Sequence, residues 1–552
     1  MKSPVPNLPV SSQRGAALVT AALALLLISV LAATFMSTVT GERSMSSNVH
    51  VAKGSLYSAD AGVRAAQQHL ANVGRARLDS LRALYTGTGP IIAQPNLFFP
   101  AGAIVASATS PAYSTSATIT FSDSALADTG QAYDFRYQIV SNGTLGANGA
   151  RSVQSDGVLR VSATRGSFAD YLIFTNEHTM ANGNPIWFTS SGYFDGRVHT
   201  NTQVRIAYQP TFEDLLSSVN SKAWYYNNGS PVERNANNNG TIDVPNLYGG
   251  FQRGVGNAPM PANSYGQQNA AIGLSPTSTT QPSNSTIRTQ LGLPSSTSPP
   301  PDGMYLPNNG GSPPLLTGGI YVQGDLNQCV ASVDSLGRQV YTMTQGGSSR
   351  TITVDVAANR TYSTVGATTT TYYNAPRGIL YTNGDIDDLG GPGRSGGEPL
   401  PAIANGIELL VTATEDITLQ EDMVYQDFED GRSVLGIFAA GGDVIVGSGA
   451  PDDMHLDAFV MAVGDPSNAN DGVFTVAGYN SGDPRGTFHL RGGMVSEFYG
   501  PFYTFDSNGD QRTGFARDFV YDRRGRIPPY YPSTMQFVVD DPTARTLAWK
   551  EL

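Results

Sequence analysis

Hydrophobic and polar positions along the chain fall into three successive patterns, each predicting a different element. Residues 16–36 (AALVTAALALLLISVLAATFM) carry no charge. As a helix rising about 1.5 Å per residue they would span roughly 30 Å, the thickness of a bilayer's hydrocarbon core. Residues 42–73 contain no proline, and Val49, Leu56, Val63 and Leu70 recur every seventh position with Ala52, Ala59 and Ala66 between them. That narrow stripe predicts an amphipathic continuation of the same helix. Gly41, Gly54 and Gly62 each cost about 1 kcal/mol against alanine in a helix interior, so a kinked and a straight helix both stay open. Beyond the Gly- and Pro-rich break at residues 84–100, strict alternation at 114–121, 133–140 and 152–163 predicts strands separated by Asn- and Gly-rich turns.

A third pattern begins after residues 257–315, a Ser, Thr, Pro and Asn-rich stretch whose composition predicts no core of its own. As a linker or as a loop draped over a β-domain it would be equally legible. Gly319-Ile320-Tyr321-Val322-Gln323-Gly324-Asp325 is echoed around Asp385, Asp416 and Asp443, at spacings of 60, 31 and 27 residues. Periods of this length mark solenoids. The wide first gap accommodates an insertion from Cys329 to Thr371, and the four aspartates are expected at equivalent corners, bonding the backbone of their own turns. The Pro- and Tyr-rich passage at 528–532 would cover the last coil.

The predicted fold class is therefore mainly β: a long N-terminal transmembrane and amphipathic α-helix, then β-rich regions, then a parallel β-helix-like C-terminal domain. The corresponding segments are a leader (1–15), the helix (16–80, membrane part 16–36), a β-rich region (100–165), a β-rich start of the solenoid (166–256), the low-complexity segment (257–315) and the solenoid with its cap (316–535).

Composition narrows the chemistry. The 33 Lys and Arg against 45 Asp and Glu give a net charge of −12, which argues against a nucleic-acid partner. Charged residues are only 14% of the chain, with 61 glycines, as in an exported surface of neutral polar side chains. The lone Cys329 excludes an internal disulfide and a cysteine-based zinc cluster, and reads as a small idle thiol. Asp506, Asn508 and Asp510 alternate as in the first half of a calcium loop, and Asn235, Asn237, Asn239 and Asp243 repeat the spacing with fewer carboxylates. Apart from calcium at these loops no cofactor is expected. His199 near Asp195 suggests a pair, although a Gly-Arg-Val-His-Thr-Asn run more often bonds neighbouring backbone. Asp387-Asp388 and Asp452-Asp453 could serve a polysaccharide-cleaving β-helix, but the basic and histidine motifs such enzymes carry are missing, as are a serine nucleophile elbow and a phosphate loop. The expectation is a protein that is not an enzyme.

Arg14-Gly15-Ala16-Ala17-Leu18-Val19, the apolar run behind it, Glu42-Arg43 and Tyr57-Ser58-Ala59-Asp60-Ala61-Gly62-Val63-Arg64 together resemble the N-terminus of PilX-type type IV pilus assembly proteins. Residues 196–201 and the C-terminal aromatic passage resemble the uncharacterised β-rich domain that often follows such N-termini. The resemblance implies that a prepilin peptidase cuts after Gly15 and that Ala16 becomes the methylated N-terminus. It also implies that the helix, with Thr20, Leu25 and Leu31, packs against neighbouring pilin helices. Thr20 stands where most pilins place a glutamate that pairs with a neighbouring N-terminal amine inside an apolar fibre, so that pair is lost here. A cleaved secretory signal, cut near Ala33, and a plain membrane anchor are the competing readings.

The implied function is a non-enzymatic minor pilin-like component that primes, caps or adheres from a fibre tip. Its implied partners are other pilins, the inner-membrane assembly machinery, prepilin peptidase, lipid and a surface or glycan ligand. Its implied location is the bacterial inner membrane before assembly, then the pilus or cell surface, with the head periplasmic or extracellular. The alternative is a membrane-anchored β-helix that binds or degrades polysaccharide.

Overall fold

The absence of proline between residues 10 and 89 lets one helix, Gln13–Leu84, run unbroken through all three glycines of the stripe. This computed structural model describes residues 13–84, 91–92, 94–99, 103–104, 112–126, 130–146, 149–190, 192–278, 280–465, 467–505, 511–539 and 541–552. The chain divides into two compact units, one formed by residues up to 164 together with 537–552, the other by 165–536.

In the first unit the helix lies on an antiparallel meander, Tyr113–Leu126, Gly130–Thr144 and Ala150–Ser167. Alternation decides which face meets the helix. Ala117, Ile119, Phe135, Tyr137, Ile139, Leu159 and Val161 point inward and are buried with Ala59, Val63, Ala66 and Leu70. Phe135 also packs against Phe98 and Phe99, with ring centroids 5.3 and 4.9 Å away. Gly54 and Gly62 have a packing reason rather than a kinking one, whereas Gly41 faces open space. A Cβ on Gly54 would collide with Leu145, one on Gly62 with Ser141, and one on Gly143 of the facing strand with the backbone of Ser55 and Ala59. Helix and sheet approach closely only because these positions lack side chains.

The sheet is completed from the far end of the chain. Thr543–Glu551 pairs antiparallel with Ala150–Ser167, matching Ala544 to Leu159 and Trp549 to Ser155. The second unit is thus an insertion into the first, a connection that local pattern cannot reveal. The expected capping passage lies within the second unit. Tyr531 is buried on the second unit, and Arg524 lies over the Phe428 ring at 4.1 Å, whereas residues from 537 onward belong to the first unit.

The second unit is built on a ladder of ten parallel strands in the spatial order Phe251–Arg253, Leu216–Ser218, Val198–Thr200, Ile173–Glu177, Pro484–Phe498, His455–Ala462, Val434–Ala439, Glu408–Ala413, Ile379–Asn383 and Ile320–Gln323. A second parallel ladder joins Gln328–Val333, Ile386–Gly390, Ile417–Leu419, Val444–Val446 and Phe474–Val476. The expected insertion is an antiparallel meander running from Gln339–Gln345 to Thr368–Tyr373.

The order of the long ladder departs from a simple continuation after residue 256. Successive strands first stack from Ile173 outward to Phe251, and the later strands start at the opposite end with Ile320 and wind back until Met494 pairs with Ile173. Each half-stack thereby covers a strand edge of the other, removing two rows of unpaired N–H and C=O groups.

Residues 258–291 cross the outer face of this ladder, with short helices Tyr265–Ala271 and Asn284–Gln290. Ala258, Ala270, Ala271, Ile272 and Ile287 are buried there with Tyr321, Tyr381, Phe438 and Phe459. The expectation that this stretch buries no core is corrected. A few small apolar residues suffice when the sheet already supplies the rest of the surface. Burial on both faces also explains why Val434–Ala439 is enclosed at every position, as parallel strands covered on both sides are.

Candidate functional site

The first candidate is the N-terminal helix. Its lower half is anchored by Ala59, Val63, Ala66, Leu70 and Leu78, all buried. Its upper half is uncovered: Leu25 is 65% and Leu31 60% exposed, and Val49, the first residue of the stripe, is 53% exposed. Leaving a leucine in water forgoes about 1.5–3 kcal/mol, so a surface of this extent calls for lipid or other helices. The polar side chains inside it are already satisfied. Thr20 Oγ1 donates to the Ala17 carbonyl at 3.0 Å and Ser29 Oγ to that of Leu25 at 2.7 Å, the back-bonding that lets hydroxyls enter an apolar medium. Gly15 and Ala16 lie within the first helical turns. By length and composition this helix can cross a membrane.

The calcium candidates part ways. Asp506, Asn508 and Asp510 lie outside the described residues. At the other loop the oxygens are spent on N–H donors. Asp243, fully buried, accepts from the backbone of Tyr208 and of Asn227 and from Asn239 Nδ2, each at 2.7 Å. Asn239 Oδ1 accepts the backbone N–H groups of Thr241, Ile242 and Asp243, and Asn237 Oδ1 accepts from Arg253 at 2.8 Å. Asn235 is exposed. Among the described residues no group of three or more His, Cys, Asp or Glu side chains is arranged to hold a metal. Asn235, Asn237, Asn239 and Asp243 thus belong to a turn clasped by one buried carboxylate.

His199 and Asp195 do not meet as a pair. His199 bonds Ser217 Oγ at 2.9 Å and Asn201 Oδ1 at 3.0 Å, and burial holds its pKa below the usual range. Asp195 instead accepts the Tyr521 N–H at 2.9 Å. Cys329 is buried, and loss of solvent, assisted by the nearby Asp388 charge, pushes its thiol up to about 12, far from nucleophilic character. Asp387 and Asp388 accept separately from Asn327 at 3.1 Å and Gln328 at 2.7 Å. Asp453 accepts the Thr487 N–H at 2.8 Å, and Asp452 lies 3.3 Å from Arg485.

The four repeat aspartates occupy equivalent corners, but each bonds the following repeat rather than its own turn. Asp325 accepts the N–H of Asp385 at 3.1 Å, Asp385 that of Asp416 at 2.8 Å, and Asp416 that of Asp443 at 2.7 Å. Asp443 then takes the N–H groups of Gly472 and Val473, both at 2.8 Å. The column ties one repeat to the next at the cost of stacking like charges. Burial first, with the Asp416 charge adding to it, raises the Asp443 pKa to about 6.

One feature of the second unit left no trace in hydrophobic pattern. Trp187 and Tyr226 meet edge to face at 5.4 Å, and Tyr226 meets Tyr208 at 5.8 Å, forming a row of rings that ends at Tyr208, 41% exposed. Tyr208 has φ of 59° and Asn227 of 47°, conformations costing on the order of 1–3 kcal/mol for a side chain of Tyr208's size. The Asp243 carboxylate holds both N–H groups. Only Tyr208-Gln209-Pro210 hints at a corner in the sequence.

Taken together, the uncovered apolar helix and the large units that follow it define a membrane-anchored protein whose bulk lies outside the bilayer. Residues 14–64 match the PilX N-terminal family, and the chain carries a PilX-type pilin N-terminus, which supports a type IV pilus-related, minor pilin role. Residues 132–220 match a domain of unknown function, DUF4900, running from the second strand of the meander into the parallel strands up to Leu216–Ser218. No curated protein and no solved structure matches the chain.

Proposed function

We propose that the protein is a non-enzymatic minor pilin that enters a type IV pilus-like fibre through residues 16–49 and presents its inserted unit, read as a β-solenoid, at or near the fibre tip, where it primes assembly or adheres. The observation that carries this reading is the division of the helix: glycine-fitted and packed on the sheet from residue 54 onward, bare before it and apolar over residues 16–36, within the stretch that matches PilX. Helices so exposed associate by packing with one another once they leave lipid. Thr20, bonded within its own helix, brings no carboxylate to a fibre core and so suits a position with few helical neighbours. Bulk points the same way, because an insertion larger than its host unit is most easily accommodated at an end.

Deletion tests the assembly role. Loss of surface pili, restored by the intact gene, is the expected result, together with recovery of the chain in sheared fibres at far below the major subunit's abundance. Normal pili lacking this chain would contradict it.

A further inference from the structure

The row of rings on the second unit runs from the half-buried Trp187 and Tyr226 out to Tyr208, which is exposed. Trp187, Tyr226 and Tyr208 touch one another across adjacent coils, and the most exposed of them sits on backbone held at positive φ by a buried carboxylate. Strain of this kind persists where surrounding structure enforces it, and it gathers at binding sites. The rim is made of neutral hydrogen-bonding groups. Gln209 and Asn228 are exposed beside Tyr208 and Tyr226, Gln209 takes its N–H to Ser190 at 3.2 Å, and Asn246 continues the row by donating to Thr211 at 3.0 Å. Charge is held back from it: Lys222 and Glu233 pair at 2.8 Å, and Arg205 is half-buried beside Trp224.

An exposed ring, Tyr208, backed by the half-buried rings of Tyr226 and Trp187 and bordered by amides and hydroxyls, matches one ligand chemistry in particular. A pyranose ring offers an apolar C–H face that packs on an aromatic ring, and equatorial hydroxyls that exchange hydrogen bonds with amide side chains. Successive rings of a chain would meet successive aromatics. A protein partner would be expected to demand a larger apolar core than three rings provide. We infer that Trp187, Tyr226 and Tyr208 bind a neutral saccharide chain, with Gln209, Asn228 and Asn246 bonding its hydroxyls. This deepens the adhesive part of the proposed function and rests on the inserted unit being presented outside the membrane.

The test uses the full chain in detergent, titrated with neutral hexasaccharides of glucose, mannose, xylose and N-acetylglucosamine, read by tryptophan fluorescence and by calorimetry. Saturable binding of at least one, with Kd in about the millimolar range or tighter, is expected. Trp187→Ala and Tyr208→Ala should each weaken it by about tenfold, Tyr208→Phe by little, and Trp549→Ala, in the other unit, not at all. An unchanged melting temperature in Trp187→Ala separates lost contact from lost fold. Binding of none of the four sugars, or equal binding by wild type and both alanine variants, overturns the inference. Pilus incorporation is read independently by shearing, so failure of sugar binding leaves the assembly reading standing, and failure of assembly leaves this site standing.

Discussion

The two units bury their apolar residues by opposite logics. The first, with its helix on a six-stranded sheet that includes the C-terminal strand, leaves the upper helix bare from Leu18 to Val49. The second encloses strands on both faces and stacks the two half-ladders edge to edge. One is incomplete until something else covers it, and the other is finished in itself. On the function proposed above, the first would carry assembly and the second display.

This contrast can be broken most severely inside the second unit. Phe438 is fully buried in the outer core, and Phe438→Ala should cost about 4 kcal/mol, seen as a lower melting temperature and as faster hydrogen exchange across Val434–Ala439 while the helix and meander keep their protection. The matching lesion in the first unit is Gly143→Val, whose side chain would strike the helix backbone at Ser55 and Ala59. A loss of about 3 kcal/mol confined to the meander is expected. Protection lost in both units alike, from either variant, would deny that they are separate.

The aspartate column offers a finer test. Asp443→Ala leaves the Gly472 and Val473 N–H groups without their acceptor and should cost about 2 kcal/mol. Asp443→Asn keeps an acceptor oxygen and removes the charge. Because the folded pKa, about 6, lies above the ordinary value, protonation favours the folded form. Its contribution is complete below about pH 4 and is lost as pH rises through 6. Urea unfolding should therefore show wild type gaining stability relative to Asp443→Asn as pH falls from 7 to 4, and the opposite trend would contradict the burial of Asp443 between successive repeats. The smallest effect is expected at the exposed Arg64–Asp60 pair, 3.1 Å apart on the helix, where Arg64→Ala should change stability by less than about 0.5 kcal/mol.

What could be read in advance followed from period. The uncharged run, the heptad-spaced stripe and the alternating strands at 114–121, 133–140 and 152–163 are local signals, and each became the element it predicts. The aspartate spacing located equivalent corners but not the partner, since an N–H one coil away lies 27 to 60 residues off in sequence. Long-range pairing hid three further facts: the return of Thr543–Glu551 to the first sheet, the meeting of Met494 with Ile173, and the use of Ala270, Ala271 and Ile272 as a lid from within a polar stretch. The aromatic row was hidden for a different reason. Positive φ at Tyr208 is imposed by Asp243, and no property of tyrosine announces it.

The account stands on residues 16–49 becoming the mature, fibre-forming end of the chain. Intact-mass and peptide mass spectrometry of the protein from membranes and from sheared pili tests this directly. It should find an N-terminus at Ala16, bearing a methyl group, in both fractions. A retained Met1, or a chain beginning near Ala33 without the helix, would contradict it.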